Sequence, residues 1–120
     1  MKAEGKPREL VARTRDFSLE IIRFYSGLPR ETSAQVLGTQ LLRSATSVGA
    51  QYRKAQRAKS AADFISKSEG ALQELDETAY WLELIDGSAI DCGPAVILQQ
   101  SARSSFYVHP SSLLLERREW

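Results

Sequence analysis

Apolar side chains recur along this chain at alternating steps of three and four residues, the spacing of one face of an α-helix. The spacing begins over residues 7–26, where the repeating face consists of Leu10, Thr14, Phe17, Ile21 and Phe24. Gly27 and Pro29 follow, and both are typical of a helix end, because glycine favours the C-terminus and proline cannot continue the helix. The pattern therefore predicts a first helix over residues 7–26.

The same periodicity predicts a second helix that begins at Thr32 or Ser33, either of which can cap its first turn. Its apolar face consists of Val36, Leu37, Leu41, Ser44, Ala45, Val48 and Tyr52. Gly49 lies in the interior of this helix, where glycine costs about 1 kcal/mol relative to alanine. We expect either a close approach of another backbone or a kink at this position.

A third helix is predicted between Ser60 and Gly87. Ser60 and Asp63 resemble a capping box, with aspartate in the place of the usual glutamate. The buried face of this helix consists of Phe64, Ser68, Ala71, Leu72, Leu75, Ala79, Leu82 and Ile85. Trp81 and Leu84 lie beside that face and indicate a second apolar contact.

Residues 87–120 depart from this regularity, because they are rich in serine and the candidate fourth helix, which opens at Pro94, is interrupted by His109 and Pro110. The apolar positions of that helix are Ala95, Leu98, Ala102 and Phe106. No alternation of apolar and polar residues predicts a strand. We expect one domain over residues 1–120, an all-α, up-and-down antiparallel four-helix bundle with a divergent fourth helix.

Cysteine usage and hydropathy indicate a cytoplasmic protein. A single cysteine, Cys92, excludes a disulfide within the chain and is typical of a reducing compartment. The first ten residues contain no apolar stretch of the kind found in signal peptides, and no apolar run approaches the roughly 20 residues of a membrane helix. We therefore expect no contact with a membrane.

The residues that catalysis or metal binding would need are missing from the sequence pattern. Cys92 and His109 are not accompanied by an oxyanion motif or a glycine-rich elbow, and Glu74, Asp76 and Glu77 are not followed by the histidine spacing of a di-metal bundle. There is also no phosphate-binding glycine loop and no CxxC pair. We predict that the protein is not an enzyme and uses no metal, cofactor or small-molecule substrate.

The net charge of +1 hides a strong asymmetry along the chain. Residues 1–60 contain 12 Lys or Arg against 5 Asp or Glu, whereas residues 61–120 contain 4 against 10. Residues 32–60 contain no acid at all, and their cations form a basic cluster in the sequence: Arg43, Arg53, Lys54, Arg57 and Lys59.

Two interpretations of the basic cluster stand. The cations could bind the phosphates of a nucleic acid, with stacking of a single-stranded base on Tyr52. Alternatively, they could pair with an acidic stripe on the third helix, formed by Glu69, Asp76 and Glu83, within the bundle or between subunits. The overall pI of 7.9 lies below the value of about 9 that is typical of a nucleic-acid-binding domain.

Residues 28–85 resemble the bacterial 23S rRNA intervening-sequence protein family. The resemblance rests on the Leu28-Pro29 turn and on six short motifs: QLLRSA at 40–45, SVGA at 47–50, YRKA at 52–55, DFI at 63–65, ELDET at 74–78 and WLEL at 81–84. It implies an up-and-down four-helix bundle, which in some members assembles as a homopentamer. A related protein, the accessory variability protein of diversity-generating retroelements, binds a reverse transcriptase and nucleic acid.

The resemblance and the residues together predict a non-enzymatic, homo-oligomeric interaction module. In this interpretation the basic cluster contacts RNA or a reverse transcriptase, and Trp81 and Leu84 form the interface between subunits. The alternative is a structural or protein-scaffolding bundle with no nucleic-acid contact.

Overall fold

Three long helices make up the computed structural model, which describes residues 2–88 and 90, with side chains from residue 9 onward. They are α1 (Lys2–Ser26), α2 (Thr32–Gln56) and α3 (Ala61–Gly87), and the described residues contain no strand. The predicted all-α class is confirmed. The ends predicted for α1 and α3 at Gly27 and Gly87 also agree with the structure, whereas α1 begins at Lys2, five residues earlier than predicted.

The predicted four-helix bundle is wrong, because the structure has three helices in its described part. The central apolar cluster takes two residues from each of the three helices, each at most 1% exposed: Phe17, Ile21, Leu41, Ala45, Leu82 and Ile85. Three helices therefore supply all the described members of this core. The candidate helix that opens at Pro94 lies outside the described residues.

Helix α2 is the central element, since it packs against both α1 and α3. Leu10, Tyr52 and Phe64 share one cluster, so the beginning of α1 and of α3 lies beside the end of α2. At the other end, Leu28, Ala34 and Ile90 form a third cluster around the α1–α2 connection. Both neighbours of α2 therefore run antiparallel to it.

Small side chains allow α1 to approach α2 closely. A Cβ atom at Gly49 would lie 3.1 Å from the hydroxyl oxygen of Thr14, and the Ser18 hydroxyl lies 3.2 Å from the carbonyl oxygen of Ala45 on the other helix. Of the two explanations predicted for Gly49, the close approach of another backbone is confirmed.

Buried hydroxyl groups connect α2 to α3. The hydroxyl oxygens of Ser44 and Thr78 are 3.0 Å apart, and both residues are fully buried. Each hydroxyl also lies within hydrogen-bond distance of a carbonyl oxygen of its own helix, Leu41 for Ser44 and Glu74 for Thr78. The contact between the two hydroxyls therefore adds a hydrogen bond between the helices to their apolar packing.

The helix starts are only partly as predicted. The Ser60 hydroxyl accepts a hydrogen bond of 3.1 Å from the Asp63 amide, which confirms the cap of α3. Helix α2 begins at Thr32, as predicted, but the predicted cap by Thr32 or Ser33 is wrong, because Glu31 occupies the capping position and makes no side-chain cap hydrogen bond.

Alanine substitutions at two helical glycines should have opposite effects on stability. A Cβ at Gly38 would lie 2.7 Å from Leu28 Cδ1 and 2.9 Å from Tyr25 Cδ1, whereas one at Gly70 would meet only Gln51, at 3.7 Å. We expect Gly70→Ala to raise the free energy of unfolding by about 0.5–1 kcal/mol, through helix propensity. Gly38→Ala should lower it by about 1 kcal/mol, because steric overlap outweighs the same gain in propensity.

Chemical denaturation of the two variants and the parent chain measures both changes. Equal stabilisation by the two substitutions would show that α1 does not approach α2 closely at Gly38.

Candidate nucleic-acid interface

Four members of the basic cluster lie together at one end of the structure. Arg53 and Lys54 occupy the last turn of α2, while Arg57 and Lys59 lie in the connection to α3. All four side chains are exposed, and none forms an ion pair with another described residue. Cations at this position also interact favourably with the negative end of the helix dipole. We call these four residues the basic end.

Arg43, the fifth member, does not belong to the basic end. It precedes Arg53 by ten residues, which is about 15 Å along a helix. Its guanidinium Nη2 lies 2.8 Å from Glu77 Oε1 on α3, and its Nη1 lies 3.8 Å from Glu74 Oε1. Arg43 therefore pairs with acids of α3, as the second interpretation predicted. The acids are Glu74 and Glu77, however, and not those of the predicted acidic stripe.

The acids predicted to pair with the basic cluster do not do so among the described residues. Glu69, Asp76 and Glu83 are exposed on α3 and form no described ion pair. Arg43 pairs instead with Glu74 and Glu77. These two acids lie close to Thr78 in α3, and the Thr78 hydroxyl contacts Ser44, the residue after Arg43 in α2. The predicted buried face contains Ala79 and not Thr78, so the sequence pattern gave no signal that identified these two acids.

Tyr52 cannot stack on a base, so that part of the hypothesis is wrong. Its side chain is 4% exposed and packs in the cluster that contains Leu10 and Phe64. The reason is helical geometry: Tyr52 continues the inward face through Val48 and Ala55, both of which are buried.

One carboxylate borders the basic end. Asp63 Oδ1 accepts a hydrogen bond of 2.6 Å from Lys67 Nζ, and its Oδ2 accepts one of 3.2 Å from the backbone amide of Lys59. The hydrogen bond from Lys67 and, next, that from Lys59 hold the pKa of Asp63 below its ordinary value. Lys67 is thereby partly neutralised, and we do not count it in the basic end.

The predicted interface residues border a wider apolar surface. Trp81 packs against the central cluster and against the ring of Tyr80, at 5.3 Å between centroids, while Leu84 is half-buried. Tyr80 and Val36 are 52% and 56% exposed. The placement of Val36 on the inward face of α2 is therefore wrong. We call Val36, Tyr80, Trp81 and Leu84 the α2–α3 apolar surface.

The described residues contain no group of three or more His, Cys, Asp or Glu side chains arranged to hold a metal ion. Cys92 and His109 lie outside the described residues. Within the same part of the chain, none of the helices has the length and apolar character needed to cross a bilayer.

Asp63 should make the stability of the protein depend on pH in the acidic range. A carboxylate with a lowered folded-state pKa stabilises the fold above its ordinary value of 3.8, and this contribution is lost as the pH falls through the folded-state pKa. We expect Asp63→Asn to lower the thermal unfolding midpoint near neutral pH, and the difference from the parent chain to shrink below pH 3.8.

Thermal unfolding followed by circular dichroism at a series of pH values tests this expectation. Asp76→Asn, at an exposed acid without a described partner, is the control and should show little such dependence. A midpoint difference for Asp63→Asn that stays constant with pH would contradict the assignment.

Comparisons with known proteins identify a family and a similar solved structure. The family model described as 23S rRNA-intervening sequence protein matches residues 7–90. A crystal structure from Bacteroides thetaiotaomicron VPI-5482, described as a protein with unknown function from the S23 ribosomal protein family, is 33% identical in sequence. It is similar over 92% of this chain and 95% of its own, with a TM-score of 0.74. No curated protein matches the sequence.

Proposed function

This chain belongs to the 23S rRNA-intervening sequence protein family, as residues 28–85 predict, and on that basis we propose that it is a non-enzymatic module that binds the phosphate backbone of RNA. The observation that carries the proposal is the basic end, where the side chains of Arg53, Lys54, Arg57 and Lys59 are exposed and form no described ion pair, although the charge of Lys59 interacts with nearby Asp63.

Binding at the basic end should depend on salt and be nearly independent of sequence. Each cation that neutralises a phosphate releases condensed counterions, which makes the affinity fall as salt rises. Tyr52, the aromatic residue that directly precedes Arg53, is buried. The described residues of the basic end can therefore contact phosphates, but they include no aromatic side chain on which a base could stack. We therefore expect recognition of the backbone and not of bases.

Charge reversal at the basic end should weaken RNA binding strongly. We expect Arg53→Glu with Arg57→Glu to weaken binding to a labelled RNA by more than tenfold at low salt, and to make its salt dependence shallower by about two units on a log–log plot. Fluorescence anisotropy over a salt series measures both quantities.

The matched control is Arg15→Glu with Arg23→Glu, which changes the net charge equally at exposed positions of α1. An equal loss in the control would show that overall charge, and not the basic end, determines the affinity. No detectable binding by the parent chain at low salt would exclude the RNA proposal and favour the other predicted partner, a reverse transcriptase, or no nucleic-acid partner at all.

The α2–α3 apolar surface favours a second candidate function, that of a homo-oligomeric scaffold without nucleic-acid contact. Val36 and Tyr80 are large apolar side chains that remain exposed, and the indole Nε1 of Trp81 is buried without a hydrogen-bond partner in the described structure. Because α2 and α3 are antiparallel, the first turns of α2, with Val36, lie beside the last turns of α3, with Leu84. Contact with a second copy would cover this surface.

Charged residues on the α2–α3 apolar surface should dissociate the oligomer. We expect the parent chain to have a mass above that of a monomer in light scattering coupled to size exclusion, and Val36→Glu with Tyr80→Glu to reduce it to the monomer. Both side chains are about half exposed, so the helices should remain folded.

Ala12→Glu with Ser26→Glu adds the same charge at exposed positions of α1 and should leave the mass unchanged. A parent chain that is strictly monomeric at high concentration would exclude the scaffold.

A further inference from the structure

The outward face of α2 continues the basic end toward Arg43. With α1 on one flank and α3 on the other, α2 exposes a stripe at alternating steps of three and four residues, Arg43, Thr46, Ala50 and Arg53, and Arg57 follows just past the end of the helix. From Arg43 to Arg53 the stripe extends about 15 Å at 1.5 Å per residue. None of these residues is acidic. Thr46 and Ala50, in the middle of the stripe, have short side chains that project little from the helix.

Arg43 is the far end of this stripe, and α3 holds its guanidinium. The contact with Glu77 Oε1 is 2.8 Å long, and the two side chains are 53% and 48% exposed. Exposed pairs of this kind contribute only about 0–1 kcal/mol, because water screens both charges. A phosphate group, which carries a full negative charge and can accept both guanidinium N–H groups, can therefore compete with Glu77 for Arg43.

The second acid near Arg43 interacts with it through charge, without a hydrogen bond. Glu74 Oε1 lies 3.8 Å from Arg43 Nη1, its side chain is 19% exposed, and this oxygen has no hydrogen-bond partner in the described structure. The Glu77 carboxylate is thus the described group that directly occupies the hydrogen-bonding face of Arg43.

We propose that RNA lies lengthwise along the outward stripe of α2, and that Glu77 limits its affinity by competing with an RNA phosphate for Arg43. This inference rests on the proposed function. It extends the binding surface from the basic end by about 15 Å and assigns Glu77 a regulatory role, since the strength of the Arg43–Glu77 pair sets how many phosphates the protein neutralises.

The test is Glu77→Gln, which removes the negative charge while keeping the size of the side chain. We expect this variant to bind a labelled RNA duplex of about 20 base pairs roughly fivefold to tenfold more tightly than the parent chain at about 0.1 M salt, with a salt dependence steeper by about 0.9 units, as one additional phosphate contact requires. Thermal unfolding by circular dichroism establishes that the variant is folded.

Two further variants distinguish a specific effect from a change in net charge. Glu83→Gln alters the charge equally at an exposed acid of α3 that has no described ion pair, and it should leave the affinity within about twofold of the parent chain. Arg43→Gln combined with Glu77→Gln should lose the whole gain, because the released guanidinium is then missing.

The outcomes separate this inference from the proposed function. Equal gains for Glu77→Gln and Glu83→Gln, or a gain that survives the loss of Arg43, would overturn the competition by Glu77. A parent chain that binds RNA through the basic end, with Glu77→Gln unchanged, would overturn the inference and leave the proposed function intact. A parent chain that does not bind RNA even at low salt would overturn both.

Discussion

The close packing of α2 against both neighbours is the constraint on which the rest of the described structure depends. Toward α1, the contact needs the missing side chain of Gly49 and the short side chain of Ser18. Toward α3, it needs the buried pair of Ser44 and Thr78. The hydroxyls of Ser18, Ser44 and Thr78 also have carbonyl partners in their own helices, so the small size of the side chains at these contacts defines the registers, and the hydrogen bonds between helices add to it. The ion pair of Arg43 and the position of the basic end both follow from those registers.

The inward faces of the helices could be predicted from the sequence, because the three-four spacing records which side of each helix avoids water. Phe17, Leu41 and Leu82 were all predicted to be inward, and all are buried in the central cluster. Val36 was misplaced because it precedes the regular part of the repeat, and a single apolar residue in a first turn does not define a face. The number of helices was wrong because both the resemblance and the apolar positions after Pro94 predicted a fourth helix, whereas the described residues contain three.

The candidate site was less predictable, because it depends on pairs of residues from different helices. Arg43, Arg53 and Arg57 look equivalent in the sequence, yet among the residues that the structure describes only Arg43 of these three forms an ion pair, since that depends on the register between α2 and α3. The predicted role of Tyr52 was wrong for a related reason. Its neighbours Arg53 and Lys54 are basic and exposed, but helical rotation turns Tyr52 itself into the core.

The position of α2 between its two neighbours also bears on how this sequence can vary. One side of α2 packs against α1 and another packs against α3, so the outward stripe is the side that remains exposed. A change at Ser44 or Gly49 would therefore displace the outward cations together with the core, whereas α1 can exchange residues such as Arg15 or Glu20 on its exposed side without such an effect. Among close homologues, we expect amino-acid substitutions to be more frequent in α1 and on the exposed side of α3. Of the three helices, α2 should have the fewest substitutions.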